Sequence, residues 1–198
     1  MTMVIEQYGT TAAPTPAVGG PPGTRWSPWC IDTIRPTDGP ALTALFESCS
    51  TDTVWRRFFA PLHELPADYA AAVLACRPEV HDAVVVRHGD RGHLAGLASL
   101  AAEQDGPNGT RGPHGPDGPA VLGVLVADAW QRQGLGGAML DVLLDRARQR
   151  GVRRVTASVL PGRARLLAAL ARRLETESAS RDQDGLTGVY RLGPLGGR

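Results

Sequence analysis

The residues best suited to chemistry lie between Val121 and Leu140. This run reads as an unbroken apolar strand, Val121-Leu-Gly-Val-Leu-Val126, then Asp128-Ala-Trp-Gln-Arg-Gln-Gly-Leu-Gly-Gly137, then an amphipathic helix. A strand that turns through glycines into a helix N-terminus aims several unpaired backbone N–H groups in one direction, and glycine lets an anion approach them closely. The pattern is a pyrophosphate cradle. A phosphate-loop nucleotidase would end this turn in Gly-Lys-Ser/Thr. That ending is absent, and all 21 basic residues of the chain are arginines. The lack of lysine also excludes a Schiff-base lysine and self-modification on a lysine side chain, and it reads as compositional bias of arginine over lysine. A dinucleotide-binding turn would need a third glycine where Met139 stands and an acid about 20 residues on, near Arg153 and Arg154.

The elements that must position this turn can be read on either side of it. Downstream, Gly134 to Arg150 carries an apolar stripe of Met139, Leu140, Leu143, Leu144 and Ala147, with Arg146, Arg148 and Arg150 near its C-terminal end, where the helix dipole favours cations. Gly151 ends it. Val155–Leu160 reads as a strand, Arg163–Leu174 as a second amphipathic helix and Gly188–Leu192 as a last strand. Upstream, Ala83–Arg87 and Leu94–Leu100 are two strand-like runs joined by the hairpin link His88–Gly92. Before them, Trp29–Arg35 reads as a strand. Three short helices follow, at Pro40–Cys49 with Asp38 as its cap, Asp52–Phe59 with Asp52 as its cap, and Tyr69–Cys76. The sum is an α+β domain whose second half runs β–α–β–α–β.

Glycine (24) and proline (16) are abundant, and they are unevenly spread. Nine of them fall in residues 1–28 and nine more in 103–119. The first stretch reads as a disordered tail and the second as a flexible insertion in a domain spanning 29–194. A formal net charge of +1 with no dense arginine tract argues against nucleic-acid binding through a basic face. Cys30, Cys49 and Cys76 form no C-x-x-C pair, and His63, His81, His88, His93 and His114 show no metal-ligand spacing, so neither disulfides nor a metal are expected. No apolar run is long enough to span a membrane and no leader is evident, so the expectation is a cytoplasmic protein.

The turn Gln131-Arg-Gln-Gly134-Leu-Gly136 resembles the Q/R-x-x-G-x-G/A signature of the GNAT superfamily of acyl-CoA-dependent N-acyltransferases. Its flanks, Val126-Ala-Asp-Ala-Trp130 and Gly137-Ala-Met-Leu140, strengthen the match. Ile34-Arg-Pro-Thr-Asp38 is similar to the end of the family's first strand, and Thr53-Val-Trp-Arg-Arg-Phe-Phe-Ala-Pro61 resembles a segment of GNAT domains related to bacterial protein-lysine acetyltransferases. Arg150-Gly-Val-Arg-Arg-Val155 running into Val159-Leu-Pro-Gly162 looks like the fifth strand and the helix after it. The resemblance implies a central mixed, mostly antiparallel sheet splayed between its fourth and fifth strands and flanked by helices. It also implies acetyl-CoA as cosubstrate and a primary amine as acceptor, of which a protein lysine is one form. The oligomeric state is not implied.

Carried over residue by residue, the resemblance places the pyrophosphate on backbone N–H groups of Gln131, Arg132, Gln133, Gly134, Leu135, Gly136, Gly137 and Ala138, and the pantetheine arm along Val124, Leu125 and Val126. The Arg132 side chain either adds to the field there or is simply solvated. An N–H near Val126 would polarise the thioester carbonyl while the amine attacks directly in a ternary complex. Amine attack also needs a base. The relatives carry a glutamate five residues before the valine matching Val126, where this chain has Val121. Glu64, Glu103 and Asp117 are the substitute acids, each weighed against a plain surface role. Arg163 stands in place of a common asparagine and Glu175 in place of a glycine. No tyrosine lies in Arg163–Leu174 to serve as general acid, Tyr190 falling in the last strand. Val121 and Arg163 leave open the alternative of a catalytically weak CoA-binding module. Trp130 could flank the cofactor or pack at the strand end, and the Trp55–Phe59 cluster could line the acceptor side or fill a core.

Overall fold

A computed structural model describes residues 29–89, 92–102, 118–162, 164–183 and 185–193. Seven strands, β1 (Trp29–Thr33), β2 (His81–His88), β3 (His93–Ala101), β4 (Ala120–Val126), β5 (Arg154–Val159), β6 (Glu175–Arg181) and β7 (Leu186–Arg191), form one open sheet in the order β1-β2-β3-β4-β5-β7-β6. Every neighbouring pair is antiparallel except β4 and β5. Helices α1 (Gly39–Glu47), α2 (Thr51–Phe58) and α3 (Ala67–Leu74) precede β2, α4 (Leu135–Gln149) is the crossover from β4 to β5, and α5 (Ala164–Ala171) follows β5. The expected tail 1–28 and the bulk of the expected insertion lie outside the described residues. Gly118 and Pro119, the end of that insertion, lead directly into β4.

The alternation of strand side chains divides the core. On one face Val84, Val86, Ala98, Leu122 and Val124 meet the α4 stripe of Met139, Leu140, Leu143, Leu144 and Ala147, which is fully buried as its spacing requires. On the other face Ala83, Val85, Leu97 and Leu125 meet Leu42 and Leu45 of α1 and Val73 of α3. Truncating a buried leucine in such a core costs about 2–5 kcal/mol. Two arginines of α4 do more than complement its dipole. Asp82, 3% exposed at the start of β2, accepts from Arg146 Nη2 at 2.8 Å and pairs with Arg150 Nη1 at 2.7 Å, which fixes the C-terminal half of α4 on the sheet.

Three local expectations need correction. Asp38 does not cap α1: its carboxylate accepts from Arg87 Nη2 at 2.6 Å and from the Arg35 N–H at 2.7 Å, joining the chain after β1 to β2. Burial would raise the Asp38 carboxyl, but those hydrogen bonds and the Arg87 charge outweigh it and hold the group below the ordinary carboxylate range. Asp52 does not cap α2 either. Ser50 does, its Oγ accepting from the Thr53 N–H, while Asp52 pairs with Arg56 one turn on. The third correction is β6, which the sequence does not announce. Glu-Thr-Glu-Ser-Ala-Ser-Arg is exposed at every position and exists as a strand because β7 supplies its ladder.

Tyr190 on β7 is buried, and its hydroxyl donates to the Leu167 carbonyl oxygen at 3.2 Å. Gly188 makes room for it, since a Cβ there would come within 2.5 Å of the Tyr190 hydroxyl. Burial pushes the phenol up to about 12, so Tyr190 is a packing and hydrogen-bonding residue that holds β7 on α5.

Asp82→Asn should lower the unfolding free energy by about 2 kcal/mol, below the usual loss for a buried pair because Arg146 and Arg150 can both turn to water. Urea denaturation at neutral pH reads this directly. His81, 6% exposed on β2, is held down to about 4 by burial and by the Arg57 charge, against a smaller opposing effect of Asp82, with the Tyr69 ring packed 5.5 Å from it. Below its unfolded value of 6.5 the unfolded chain takes a proton that the folded chain refuses, so stability falls as pH drops from 6.5 towards 4. The loss should be on the order of 3 kcal/mol. Denaturation at stepped pH should find that slope in the wild type and a flattened one in His81→Leu.

Candidate functional site

The parallel pairing of β4 with β5 covers only Ala120 with Val155 and Val121 with Thr156. Beyond those pairs both strands continue and separate, so Leu122–Val126 and Ala157–Val159 border an open wedge. The ladder with β3 decides which backbone groups of β4 face the wedge. Val126 lies opposite Gly96 and Leu125 opposite Leu97, while the Ala127 N–H donates to the Ala95 carbonyl at 3.0 Å. Ala127 and Ala95 are therefore a hydrogen-bonded pair, and antiparallel alternation turns the N–H and C=O of Val126 and Val124 away from β3, towards the wedge. Leu125, expected with them, pairs with Leu97 and turns its backbone to β3.

At the wide end of the wedge the chain forms a short 3-10 turn, Asp128–Trp130, and then the glycine turn. Arg132 and Gly134 both have positive φ, 60° and 82°, and Gly134 is the residue before the first turn of α4. A left-handed conformation at that point is what glycine adopts without steric cost. It reverses the chain so that Leu135, Gly136 and Gly137 begin the helix with N–H groups that have no carbonyl one turn back. The outer members of the expected set behave differently. The Ala138 N–H is taken by the Gly134 carbonyl at 3.0 Å and the Gln131 N–H by the Asp128 carbonyl at 3.3 Å. Of the expected set, the N–H groups of Arg132 to Gly137 thus lie between these two bonds, with the Arg132 and Gln133 side chains exposed beside them.

The Gln131 side chain has a structural role that the signature alone did not reveal. Its Nε2 donates to the Val126 carbonyl at 3.1 Å and to Thr53 Oγ1 at 3.0 Å. Asp128 completes the tie: its carboxylate accepts from the Ser50 N–H at 2.6 Å, from Ser50 Oγ at 2.9 Å and from Thr53 Oγ1 at 2.9 Å. Burial would raise the Asp128 carboxyl, but the Ser50 and Thr53 hydrogen bonds hold it below the ordinary range, so it is an ionised acceptor throughout the neutral range. The N-terminus of α2, the end of β4 and the glycine turn form one hydrogen-bonded unit. Ser50 and Thr53 are legible only as a local cap, because the partner that gives them this second role is 75 to 78 residues away.

Of the candidate bases, Glu64 is exposed in the loop between α2 and α3. Glu103, Asp117 and the changed Arg163 lie outside the described residues. Val121 is half-buried at the last pairing of β4 with β5. Trp130 lies against His88, with ring centroids 4.4 Å apart and planes tilted by 51°, and packs against both cores, which supports its packing role. In α2, Phe58 is buried with Phe46 and Val54 while Trp55 is 41% exposed, so the aromatic cluster is divided between core and surface. Among the described residues no cluster of histidine, cysteine and acidic side chains could hold a metal, and no helix is long and apolar enough to cross a membrane.

The wedge and the turn fit a CoA thioester on their own chemistry. An extended polar arm can pair with the wedge-facing backbone of β4, and a pyrophosphate suits the convergent N–H groups at the start of α4. Similarity to known proteins agrees. The solved GNAT domain of the S. lividans PAT superposes with a TM-score of 0.67 at 24% identity, over 82% of this chain and 89% of that one. A Salmonella typhimurium protein, yncA, solved with its cofactor acetyl-CoA, gives 0.60 at 16% identity over 86% and 96%. The ribosomal-protein-S18-alanine N-acetyltransferase of Escherichia coli gives 0.55 at 18% identity over 86% and 97%. No curated protein sequence matches the chain. The model of the acetyltransferase (GNAT) family matches residues 44–175, from α1 through the glycine turn to the start of β6. With wedge, turn and family pattern in register on the same residues, the chain belongs to the acetyltransferase (GNAT) family and is an acetyl-CoA-dependent N-acetyltransferase.

Proposed function

We propose that the protein transfers an acetyl group from acetyl-CoA to a primary amine, with a protein lysine as one candidate acceptor, by direct attack while both substrates are bound. The observation that carries this reading is the end of the β4–β5 ladder after Val121 and Thr156, which leaves the Val124 and Val126 backbone facing a wedge that opens beside the glycine turn. Acetyl-CoA supplies the activated acyl group. Arg132 to Gly137 hold its pyrophosphate, the β4 backbone holds its extended arm, and the Val126 N–H is the donor available to a carbonyl oxygen at the wedge. The Gln131 side chain occupies the Val126 carbonyl and so keeps this strand end in one orientation.

The acceptor approaches from the α1–α3 side of β4, where Val121 replaces the acid of the relatives. A neighbouring carboxylate must then take the amine proton, or the amine must arrive unprotonated. Glu64, Glu103 and Asp117 are the proposed alternatives for that acid. Tyr190, buried and bonded to Leu167, does not reprotonate the leaving thiolate, which falls to water. The half-buried Val121 also favours a second reading, a CoA-binding module with weak catalysis.

Titration calorimetry with acetyl-CoA tests the binding half, and absence of heat at millimolar ligand would remove the proposal. Gly134→Val, which places a branched side chain at φ 82°, should weaken acetyl-CoA at least about tenfold. Thiol release across amines and lysine peptides separates enzyme from module. Turnover should fall about 100-fold when the true base among Glu64, Glu103 and Asp117 is changed to its amide, and pre-deprotonated amines at high pH should recover much of it. Binding without thiol release from any acceptor would favour the module.

A further inference from the structure

A cation is buried under α2 without a counter-ion. Arg57 is 2% exposed, and no carboxylate pairs with it among the described residues. Its Nη2 donates to the Tyr69 hydroxyl at 2.8 Å and to Ser99 Oγ at 3.4 Å, and its guanidinium lies 4.8 Å from the centre of the Phe58 ring and 5.2 Å from that of Tyr69. Nε and Nη1 have no hydrogen-bond partner among the described residues. Guanidinium does not shed its proton, and removing it from water without an anion is unfavourable even with aromatic rings beneath it. Beside it His81, 6% exposed and neutral at physiological pH, leaves Nε2 without a hydrogen-bond partner among the described residues as well. A fold with no use for charge here could have placed leucine at both positions.

The location ties this cluster to the reaction. Ser99 on β3 lies opposite Gly123 on β4, two residue pairs along from Ala101 and Val121 and so on the same face of the sheet. Gly123 contributes no side chain to that face. Ala101 and Val121 are half-buried where the preceding run of β3, Leu94 to Leu100, is buried throughout, and Tyr69 at the rim is half-buried too. The unmatched donors therefore sit beside the position that replaces the relatives' acid, on the side from which the acceptor comes. We propose that Arg57, with Tyr69, Ser99 and His81, forms a carboxylate-binding site that selects a substrate carrying an acid group a short distance from the reacting centre. The carboxylate belongs either to the acceptor, as an amino acid or an acid-bearing amine, or to the acyl group, as a dicarboxylic monothioester. This rests on the acetyl-transfer reading above, whose wedge and turn fix where the reacting centre lies.

Arginine Nε–H resonances in 15N-labelled protein provide the test, because the buried Arg57 Nε–H exchanges slowly and a carboxylate partner shifts it. Arg57→Lys identifies the signal; should that variant not fold, Tyr69→Phe and Ser99→Ala, which keep Arg57, identify it by moving it. Titrating 5-aminovalerate against pentylamine into the CoA-saturated protein tests the acceptor arm, and comparing succinyl-CoA with acetyl-CoA tests the acyl arm. Saturable movement with 5-aminovalerate alone assigns the carboxylate to the acceptor, and movement with succinyl-CoA alone assigns it to the acyl group. Ser99→Ala or Tyr69→Phe should then weaken that probe about tenfold without changing CoA binding. A signal unmoved by either acid probe, or moved equally by pentylamine, overturns the site. Calorimetry with CoA run alongside reports separately on the glycine turn. Loss of CoA binding there would remove the acetyl-transfer reading, while the 5-aminovalerate titration without CoA would still support or overturn the carboxylate site.

Discussion

Backbone polar groups inside a protein must be paired, and a parallel ladder that ends after two residue pairs leaves β4 with groups that the sheet does not pair. The rest of the structure is arranged around that constraint. β3 satisfies one edge of β4 along its whole length, so the strand stays rigid while its other edge is open. β5 is held on its far side by β7 over all six of its residues and does not depend on β4 to remain a strand. The wedge is thus a stable gap between two independently supported strands. An extended thioester arm is the complement such a gap calls for.

Two devices keep the wedge in register with the glycine turn. At the end of β4, Gln131 and Asp128 tie the strand, the turn and the start of α2 together through Val126, Thr53 and Ser50. At the far end of α4, Asp82 holds Arg146 and Arg150 against β2. Between them the α4 stripe is buried on the sheet, so the N-terminus of α4 cannot shift without breaking both an ionic and an apolar contact. A consequence is that one helix links two regions: α2 carries both Thr53, bound to the turn, and Arg57, set against β3 at Ser99.

Most of the architecture was legible in the sequence because its elements carry strong periodic signals. The α4 stripe, the apolar run of β4 and the hairpin of β2 and β3 each announce their type through spacing alone. β6 does not. An edge strand of polar residues exposed on both faces has no hydrophobic alternation to read, and its neighbour decides its conformation. Asp52 turns from the cap to Arg56 within its own helix, whereas the Asp38 side chain leaves its cap for a distant partner. A carboxylate before a helix is a good cap locally, but Arg87, 49 residues away from Asp38, offers a charge-assisted bond that a backbone N–H cannot match.

The sequence by itself determined the family pattern, the glycine turn and the helix it opens, because these depend on residues adjacent in the chain. It also places Val121 where the family resemblance implies an acid. Tertiary structure decided which backbone groups face the wedge, that Gln131 serves the strand end, and that Arg57 is buried with His81 and, among the described residues, without an acid. The first and last of these depend on ladder register and on contacts between distant residues, and the Gln131 side chain, though it bonds Val126 only five residues back, is also held by Thr53, 78 residues away; no local propensity encodes such pairings.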